Sequence, residues 1–259
     1  MTEHPSPRVR LFVSDIDGCL GEPYQAFDLG SMSRLADLAR LGGRLDSSPH
    51  YPALGLCSGR PFPYVEALTQ TLGLVVPVLF ESGGGIFDPV SARVQWHPAF
   101  SDDLREEVEA LGRWMVEHCI PGSSLLFDFA KRTQPGMISP FSEEIDRWMP
   151  VVEERVAVHH PRLTVHRTNL SIDVLPEGIS KHIGMAWLSE QLDVPLAGMA
   201  YIGDSSGDLE ALKAVGTSFA PQNAIEAVKS AVHRVTAPRI AGVVEAYEVC
   251  LAKNRALSR

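Results

Sequence analysis

Two aspartates separated by one residue, Asp15 and Asp17, follow an apolar stretch that begins at Leu11, and Gly18 comes next. A short, β-branched apolar stretch of this kind is typical of a buried strand in a parallel sheet. Such sheets bind ligands at the carboxyl ends of their strands, where both carboxylates would lie. Two carboxylates this close repel each other unless a cation or a shared proton compensates. The alternative is that Asp and Gly only form the turn after the strand.

Polar residues also follow other predicted strands. Ser58 comes directly after a short apolar stretch, Asp204 and Asp208 follow another, and Lys181 stands just before a predicted helix. If these strands share one sheet, their polar ends meet along its carboxyl edge. Carboxylates from two strands form a set of hard oxygen ligands that suits Mg²⁺. A serine hydroxyl and a lysine ammonium suit phosphate oxygens.

The elements that would position these groups alternate between short apolar strands and segments of helical periodicity. Apolar residues at 32, 35, 38, 39 and 41, for example, predict a helix that ends at Gly42. Strands that alternate with helices predict a parallel sheet with right-handed crossovers. The predicted fold class is therefore α/β, with a Rossmann-like parallel sheet as its core.

The pattern changes from about Ile86, just after the glycine-rich segment 81–85, which we interpret as a hinge or tight turn. Long helical segments and strand pairs then follow, which indicates an inserted α+β unit. We expect a catalytic core formed by residues 1–85 and 173–259, with a smaller α+β cap domain at 86–172.

Composition excludes several classes of protein. The 259 residues carry a net charge of −9, which argues against a general basic surface for nucleic acid. No apolar stretch reaches membrane-spanning length, and residues 1–5 lack the basic-then-apolar pattern of a secretory signal. The four cysteines are scattered without CxxC spacing, which favours free thiols in a reducing compartment. We expect a cytoplasmic protein with no nucleic-acid or membrane partner.

Four motifs in fixed order give the chain a resemblance to a known family. They are Asp15-Ile16-Asp17-Gly18, Ser58-Gly59-Arg60, Lys181 and Gly203-Asp204-Ser205-Ser206-Gly207-Asp208. In this order they resemble the motifs of the haloacid dehalogenase superfamily of phosphohydrolases. The long insertion between the second and third motifs resembles the αβ cap of the Cof-type, sugar-phosphatase branch.

The resemblance implies a role for each catalytic position. Asp15 would be the nucleophile that attacks phosphorus and forms an aspartyl-phosphate. Asp17 would protonate the leaving oxygen and then activate water. Lys181 would hold the nucleophile and the transferring phosphoryl group, while Ser58 and the Gly59 N–H would bind phosphoryl oxygens.

The resemblance also implies Mg²⁺ as the cofactor. Asp15, the backbone carbonyl of Asp17 and Asp204 would hold the ion, and Asp208 would hold a metal-bound water or orient Lys181. Members of this branch usually carry Asn before the last aspartate, whereas this chain has Gly207. That departure removes a hydrogen-bonding side chain next to Asp208.

Some of these residues have structural alternatives. Ser58 could be a helix N-cap, and Arg60 could either contact substrate or pair with a carboxylate. Lys131, Arg132 and Ser139 are candidates for contacting the substrate from the cap, although a charged hairpin tip is the alternative for that stretch.

The predicted function is Mg²⁺-dependent hydrolysis of small phosphate monoesters, either sugar phosphates or phosphoglycolate-like acids. One alternative is a phosphosugar mutase or phosphotransferase, in which the aspartyl-phosphate is protected from water. The other is a non-catalytic, phosphosugar-binding regulatory protein. The expected partner is a small phosphorylated metabolite, and the sequence carries no signal of oligomeric state.

Overall fold

The structure is a computed structural model that describes residues 7–258. Residues 1–5, on which the expectation of no secretory signal depends, lie outside the described residues. The strands are β1 (Leu11–Ser14), β2 (Ala53–Leu56), β3 (Val78–Phe80), β4 (Gly85–Asp88), β5 (Arg93–Trp96), β6 (Leu126–Phe127), β7 (Gly136–Ile138), β8 (Leu163–Arg167), β9 (Ser171–Pro176), β10 (Met199–Ile202), β11 (Thr217–Pro221) and β12 (Arg234–Thr236). The helices are α1 (Leu29–Gly42), α2 (Phe62–Leu72), α3 (Asp102–His118), α4 (Ser142–His159), α5 (Lys181–Leu192), α6 (Leu209–Ala214), α7 (Glu226–Lys229) and α8 (Arg239–Leu257).

A five-stranded parallel sheet of order β12-β11-β10-β1-β2 forms the centre of the fold. All four residues of β1, β2 and β10 are buried, because helices cover both faces of the sheet. Helices α1, α2 and α8 pack against Phe12 and its neighbours on one face. Helices α5, α6 and α7 pack against Leu11, Val13 and Tyr201 on the other. The predicted α/β class with a parallel core is confirmed.

A three-stranded antiparallel sheet of order β3-β4-β5 adjoins this core. Strand β3 follows β2 in space, since Cys57 bridges to Leu79 and Ser58 N donates to the Leu79 carbonyl over 3.2 Å. The hairpin formed by β4 and β5 was not part of the sequence prediction. Residues of β5 are partly or fully exposed, so they lack the apolar run that marks a buried strand.

Strands β6 to β9 and helices α3 and α4 form what we call the cap unit. Its antiparallel sheet has the order β6-β7-β9-β8, and both helices pack on one face around a separate hydrophobic cluster. Strand β9 continues to Pro176, beyond the expected cap boundary at residue 172. Helix α4 begins at Ser142, and Phe141 occupies the N-cap position without a side-chain hydrogen bond.

Two composition-based expectations concern the described residues directly. No helix within residues 7–258 is long and apolar enough to cross a membrane. The four cysteines are free thiols, and each is buried.

Candidate active site

Asp15 lies immediately after β1, at the carboxyl edge of the parallel sheet. Its backbone N–H donates to the Ile202 carbonyl over 3.0 Å, which extends the β1–β10 pairing by one residue. The side chain is buried, and its Oδ1 accepts a hydrogen bond of 2.7 Å from the N–H of Ile16. Burial raises the pKa of Asp15, and Asp208 and Asp204 act in the same direction against Lys181.

Lys181 bridges the carboxylates of Asp15 and Asp208. It is the first residue of α5, whose N-cap Ser180 accepts a hydrogen bond from Ile183 N. Its Nζ donates to Asp15 Oδ2 and to Asp208 Oδ1, each over 2.6 Å. Burial alone would lower the pKa of Lys181, but the two carboxylates outweigh it and hold the pKa well above its usual value. Lys181 is therefore a buried cation that is paired with a carboxylate on each side.

Asp208 is fully buried, and its carboxylate is saturated with donors. Besides Lys181, the Tyr201 hydroxyl donates to Oδ1 over 2.6 Å. Oδ2 accepts from Asp204 N over 3.2 Å, from Ser205 N over 2.9 Å and from Ser205 Oγ over 2.7 Å. Burial would raise the pKa of Asp208, but Lys181 and these donors lower it overall. Asp208 thus orients Lys181 and the loop that carries Asp204.

Asp204 has a different environment. Its carboxylate accepts no hydrogen bond from residues 7–258, and burial together with Asp208 raises its pKa to about 7. A Cβ on Gly18 would lie 2.0 Å from Asp204 Oδ2, and Gly18 has φ +74°, so only glycine fits at this position. Gly18 is held in turn by Asn223, whose Nδ2 donates to the Gly18 carbonyl over 2.8 Å.

These carboxylates form a set suited to a divalent cation. One oxygen each from Asp15, Asp204 and Asp208 lies within 4.8 Å of the others. Carboxylate oxygens are hard ligands of the kind that Mg²⁺ prefers, and an ion here would offset their mutual repulsion. The residues present therefore fit the implied metal.

Asp17 is not part of this carboxylate set, and its side chain pairs with Arg60. The guanidinium donates from Nε to Asp17 Oδ2 and from Nη2 to Asp17 Oδ1, both over 2.7 Å. It lies over the rings of Tyr64, 4.8 Å from the centroid, and Tyr24, at 5.9 Å. Of the two interpretations of Arg60, the structure shows the ion pair.

The loop that carries Ser58 is held by hydrogen bonds to backbone groups. Ser58 is fully buried, its Oγ accepts from Arg60 N over 3.2 Å, and its carbonyl accepts from Ser82 N over 2.8 Å. Ser58 is not a helix N-cap, because α2 begins at Phe62 with Pro61 as its N-cap. Proline fixes its own backbone there and leaves Ser58 outside the helix.

The three candidates in the cap unit have separate environments. Lys131 Nζ pairs with Asp173 Oδ1 at 2.5 Å, and Arg132 lies over the Trp96 ring, 5.0 Å from its centroid. Ser139 is buried within the cap unit, and its Oγ accepts from Phe141 N over 3.1 Å. Lys131 and Arg132 lie in a segment that contacts the core, since Arg132 N donates to Glu81 Oε2 over 2.9 Å, whereas Ser139 has no such contact within residues 7–258.

Sequence reasoning missed several residues that hold the site together. Tyr201 and Asn223 bond to the motif residues, and Glu81 and Gln134 connect the core to the cap unit. Tyr201 is a polar-tipped residue in a fully apolar strand, which is the one sequence signal that could have marked it.

Comparisons with known proteins agree with this geometry. A family model of haloacid dehalogenase-like hydrolases matches residues 127–246. A phosphoglycolate phosphatase from Methanococcoides burtonii is 24% identical over 256 residues, covering 95% of this chain and 98% of that protein. A 5-amino-6-(5-phospho-D-ribitylamino)uracil phosphatase from Bacillus subtilis is 29% identical, covering 88% of this chain and 92% of that protein. The structure of a haloacid dehalogenase-like hydrolase from Bacteroides thetaiotaomicron has the same fold, with a TM-score of 0.72 and 20% identity over 93% of this chain and 99% of that chain.

The resemblance to haloacid dehalogenase-like hydrolases that the four motifs predict is confirmed by these matches. The predicted enzyme class, a phosphatase, agrees with the names of the matching relatives.

Proposed function

We propose that the chain hydrolyses small phosphate monoesters with Mg²⁺ as its cofactor, through an aspartyl-phosphate on Asp15. The observation that carries this proposal is the Lys181 ammonium, which bridges Asp15 and Asp208 over 2.6 Å on each side. A fixed cation beside a buried carboxylate stabilises the negative charge that a transferring phosphoryl group brings to the site.

The proposed reaction has two steps. A carboxylate oxygen of Asp15 attacks phosphorus, the bond from phosphorus to the ester oxygen breaks, and the leaving oxygen takes a proton from Asp17. Asp17, now ionised, then takes a proton from a water molecule whose oxygen attacks the aspartyl-phosphate. The acyl–phosphate bond breaks, inorganic phosphate is released, and Asp15 returns to a free carboxylate.

The remaining motif residues bind and orient. Ser58 and the Gly59 N–H bind phosphoryl oxygens, and Lys181 holds both the nucleophile and the phosphoryl group. Asp15, the Asp17 backbone carbonyl and Asp204 hold Mg²⁺, while Asp208 keeps Lys181 in place. The bound ion supplies charge neutralisation for the phosphoryl oxygens.

The proposed substrates are sugar phosphates or phosphoglycolate-like acids. The names of the relatives support both types, because they include phosphoglycolate phosphatases and a phosphatase that acts on a phosphoribityl compound. Lys131, Arg132 and Ser139 are the proposed substrate-contacting set of the cap unit, and Arg60 is proposed to hold Asp17. Lys131 and Arg132 are the better supported, because their segment is joined to the core by Arg132 N, which donates to Glu81 Oε2 over 2.9 Å.

We also propose the two-domain division into a core, residues 1–85 and 173–259, and a cap, residues 86–172. The separate hydrophobic cluster of the cap unit supports the existence of two units, and because it includes Val174, strand β9 belongs to the cap as a whole. A cytoplasmic location is proposed on the four free, buried cysteine thiols.

Release of inorganic phosphate from a panel of sugar phosphates, polyol phosphates and phosphorylated acids tests the function. The assay is run with Mg²⁺, with a chelator, and with Asp15→Asn, which keeps the side-chain shape but removes the nucleophile. Turnover that requires both Mg²⁺ and Asp15 is the expected result. Transfer of phosphate to a second sugar hydroxyl without release would instead indicate the mutase, and ligand binding without turnover would indicate the regulatory protein.

A further inference from the structure

The turn formed by Glu81, Ser82 and Gly83 directly follows β3 and contacts the loop of the second motif. Ser82 N donates to the Ser58 carbonyl over 2.8 Å, and Glu81 N donates to the Arg60 carbonyl over 3.0 Å. The turn therefore supports the loop that presents Ser58 and Gly59.

The same turn contacts the helix that carries Lys181. A Cβ on Gly83 would lie 2.6 Å from Gly184 Cα and 2.8 Å from the Ser180 carbonyl oxygen. Gly83 has φ +88°, so both its conformation and its surroundings require glycine. The first turn of α5 thus packs directly on the backbone of this turn.

The side chain of Glu81 reaches a third element, the segment 131–134 between β6 and β7, which we call the crossing loop. Glu81 is fully buried. Its Oε2 accepts from Arg132 N over 2.9 Å, from Thr133 N over 2.6 Å and from Thr133 Oγ1 over 2.7 Å. Gly84 leaves the room for this approach, because a Cβ there would lie 2.2 Å from Thr133 Oγ1.

The crossing loop also contacts the phosphate-binding loop itself. Gln134 is buried, and its Nε2 donates to the Gly59 carbonyl over 2.8 Å. Two contacts, one through Glu81 and one through Gln134, therefore fix the crossing loop to the core beside Ser58.

The backbone at this junction is strained. Glu81 has φ +46° and Ser82 has φ +56°, so two consecutive non-glycine residues lie in the left-handed region. Such conformations persist where surrounding contacts impose them, and they cluster at functional sites. Here the imposed conformation aims the Glu81 carboxylate at the crossing loop.

We infer that Glu81 is a positioning residue that locks the crossing loop of the cap unit onto the phosphate-binding loop and thereby encloses the substrate. The inference rests on the proposed phosphatase function. Glu81 is suited to the task because three donors converge on one of its carboxylate oxygens. Truncation of Glu81 would remove the acceptor of the Arg132 and Thr133 amides and of the buried Thr133 hydroxyl.

Three variants and one control test this positioning role of Glu81. Glu81→Ala removes the acceptor, Glu81→Gln keeps an oxygen for the donors, and Gln134→Ala removes the second contact. The control is Glu107→Ala, which breaks the 2.6 Å pair between Glu107 and Arg162 inside the cap unit without touching the core. Each variant is assayed for kcat and KM, for inhibition by inorganic phosphate, and for amide hydrogen exchange of the crossing loop by mass spectrometry.

Glu81→Ala is expected to lower kcat/KM by about tenfold or more, because a displaced enclosing segment misplaces the substrate. Glu81→Gln should lose less, and Glu81→Ala combined with Gln134→Ala should lose no more than the worse single variant, since both act through one loop. Inhibition by phosphate should stay within about twofold of wild type, because the backbone bonds to Ser58 remain. Glu107→Ala should keep its kcat/KM within about twofold.

Exchange of the Arg132 and Thr133 amides should speed up in Glu81→Ala and remain slow in Glu107→Ala. Unchanged hydrogen exchange in Glu81→Ala, or loss of phosphate inhibition in proportion to kcat/KM, would overturn the inference that Glu81 fixes the crossing loop to the phosphate-binding loop. If the wild-type enzyme released no phosphate from any ester, the proposed function would fail, whereas the exchange data would still decide the lock by themselves.

Discussion

Arg60 and Asp17 are joined by two hydrogen bonds of 2.7 Å, from Nε to Oδ2 and from Nη2 to Oδ1. The two residues are 43 positions apart in the chain and follow different strands. A bidentate pair of this kind fixes the plane of the carboxylate as well as its position. The side chain proposed to move protons is thus held by the residue that follows the phosphate-binding Gly59.

Arg60→Lys is expected to lower kcat by about tenfold or more with little change in KM, because a lysine keeps the charge but cannot form the fork. Steady-state kinetics on the best substrate provides the measurement. Arg34→Lys is the matched control, since Arg34 pairs with Glu248 on the exposed surface. A raised KM at unchanged kcat would show instead that Arg60 binds the substrate.

Gly18→Ala is expected to raise the Mg²⁺ concentration for half-maximal activity by about tenfold or more. The added Cβ would lie 2.0 Å from Asp204 Oδ2 and push this carboxylate from its position. Activity measured against Mg²⁺ concentration provides the test. Gly73→Ala is a close control, because Gly73 has a similar φ of +63° but nothing within 4 Å of the added Cβ. Equal shifts in both variants would mean that backbone strain alone is responsible.

The core motifs could be predicted because each is short and each follows a buried strand. The apolar runs at β1, β2 and β10 marked both the strand and the polar residue after it. Strand β12 was not predicted, because Arg234 and Val235 are exposed at the sheet edge and form no apolar run. Edge strands of this kind are specified by their pairing partner rather than by burial.

The connections between motifs could not be predicted. Glu81 and Thr133 are 52 residues apart, and no local pattern in either segment indicates their contact. The glycine-rich segment was interpreted as a hinge or tight turn, which describes its backbone but not the buried carboxylate that it presents. Long-range hydrogen bonds depend on how the cap unit packs on the core, and that packing has no short sequence signature.

Because of the environment of His160, we expect the folded protein to lose stability at mildly acidic pH. It is 7% exposed at the end of α4, and neither ring nitrogen has a hydrogen-bond partner among residues 7–258. Burial lowers the pKa of His160, and Glu107 only partly opposes this. The unfolded chain, with an ordinary value of about 6.5, therefore binds the proton more tightly than the folded state, so stability falls as pH drops through about 6.5.

His160→Gln should remove this dependence, because its amide does not titrate. Urea unfolding at about pH 7.5 and about pH 5.5 should show a smaller fall in the free energy of unfolding for the variant than for wild type. His118→Gln is the control, since His118 is an exposed residue at the end of α3 in the same unit. An identical pH dependence in wild type and His160→Gln would contradict the assignment.

From the contacts of Asp173 we predict how the cap unit discriminates between neutral and acidic substrates. Ile172 and Val174 pack into the cluster with α3 and α4, so Asp173 lies on the opposite face of the sheet. There it pairs with Lys131, and Ser171 Oγ donates to its Oδ2 over 2.9 Å. The charge of Lys131, which we propose contacts the substrate, is thus already compensated, and this favours uncharged polyol groups over carboxylates.

Asp173→Asn should release the charge of Lys131 and raise the ratio of kcat/KM for phosphoglycolate over glycerol phosphate by about tenfold, the worth of one charge-assisted hydrogen bond. Lys131→Gln should lower the same ratio, because it leaves the Asp173 carboxylate without its cation. Asp146→Asn serves as the control, because Asp146 pairs with Arg167 on the exposed surface of the cap unit. Because both substrates carry the same phosphate, a general weakening of the fold lowers both rates and leaves the ratio unchanged. A constant ratio in a folded, active Asp173→Asn enzyme would therefore show that this pair does not read the substrate.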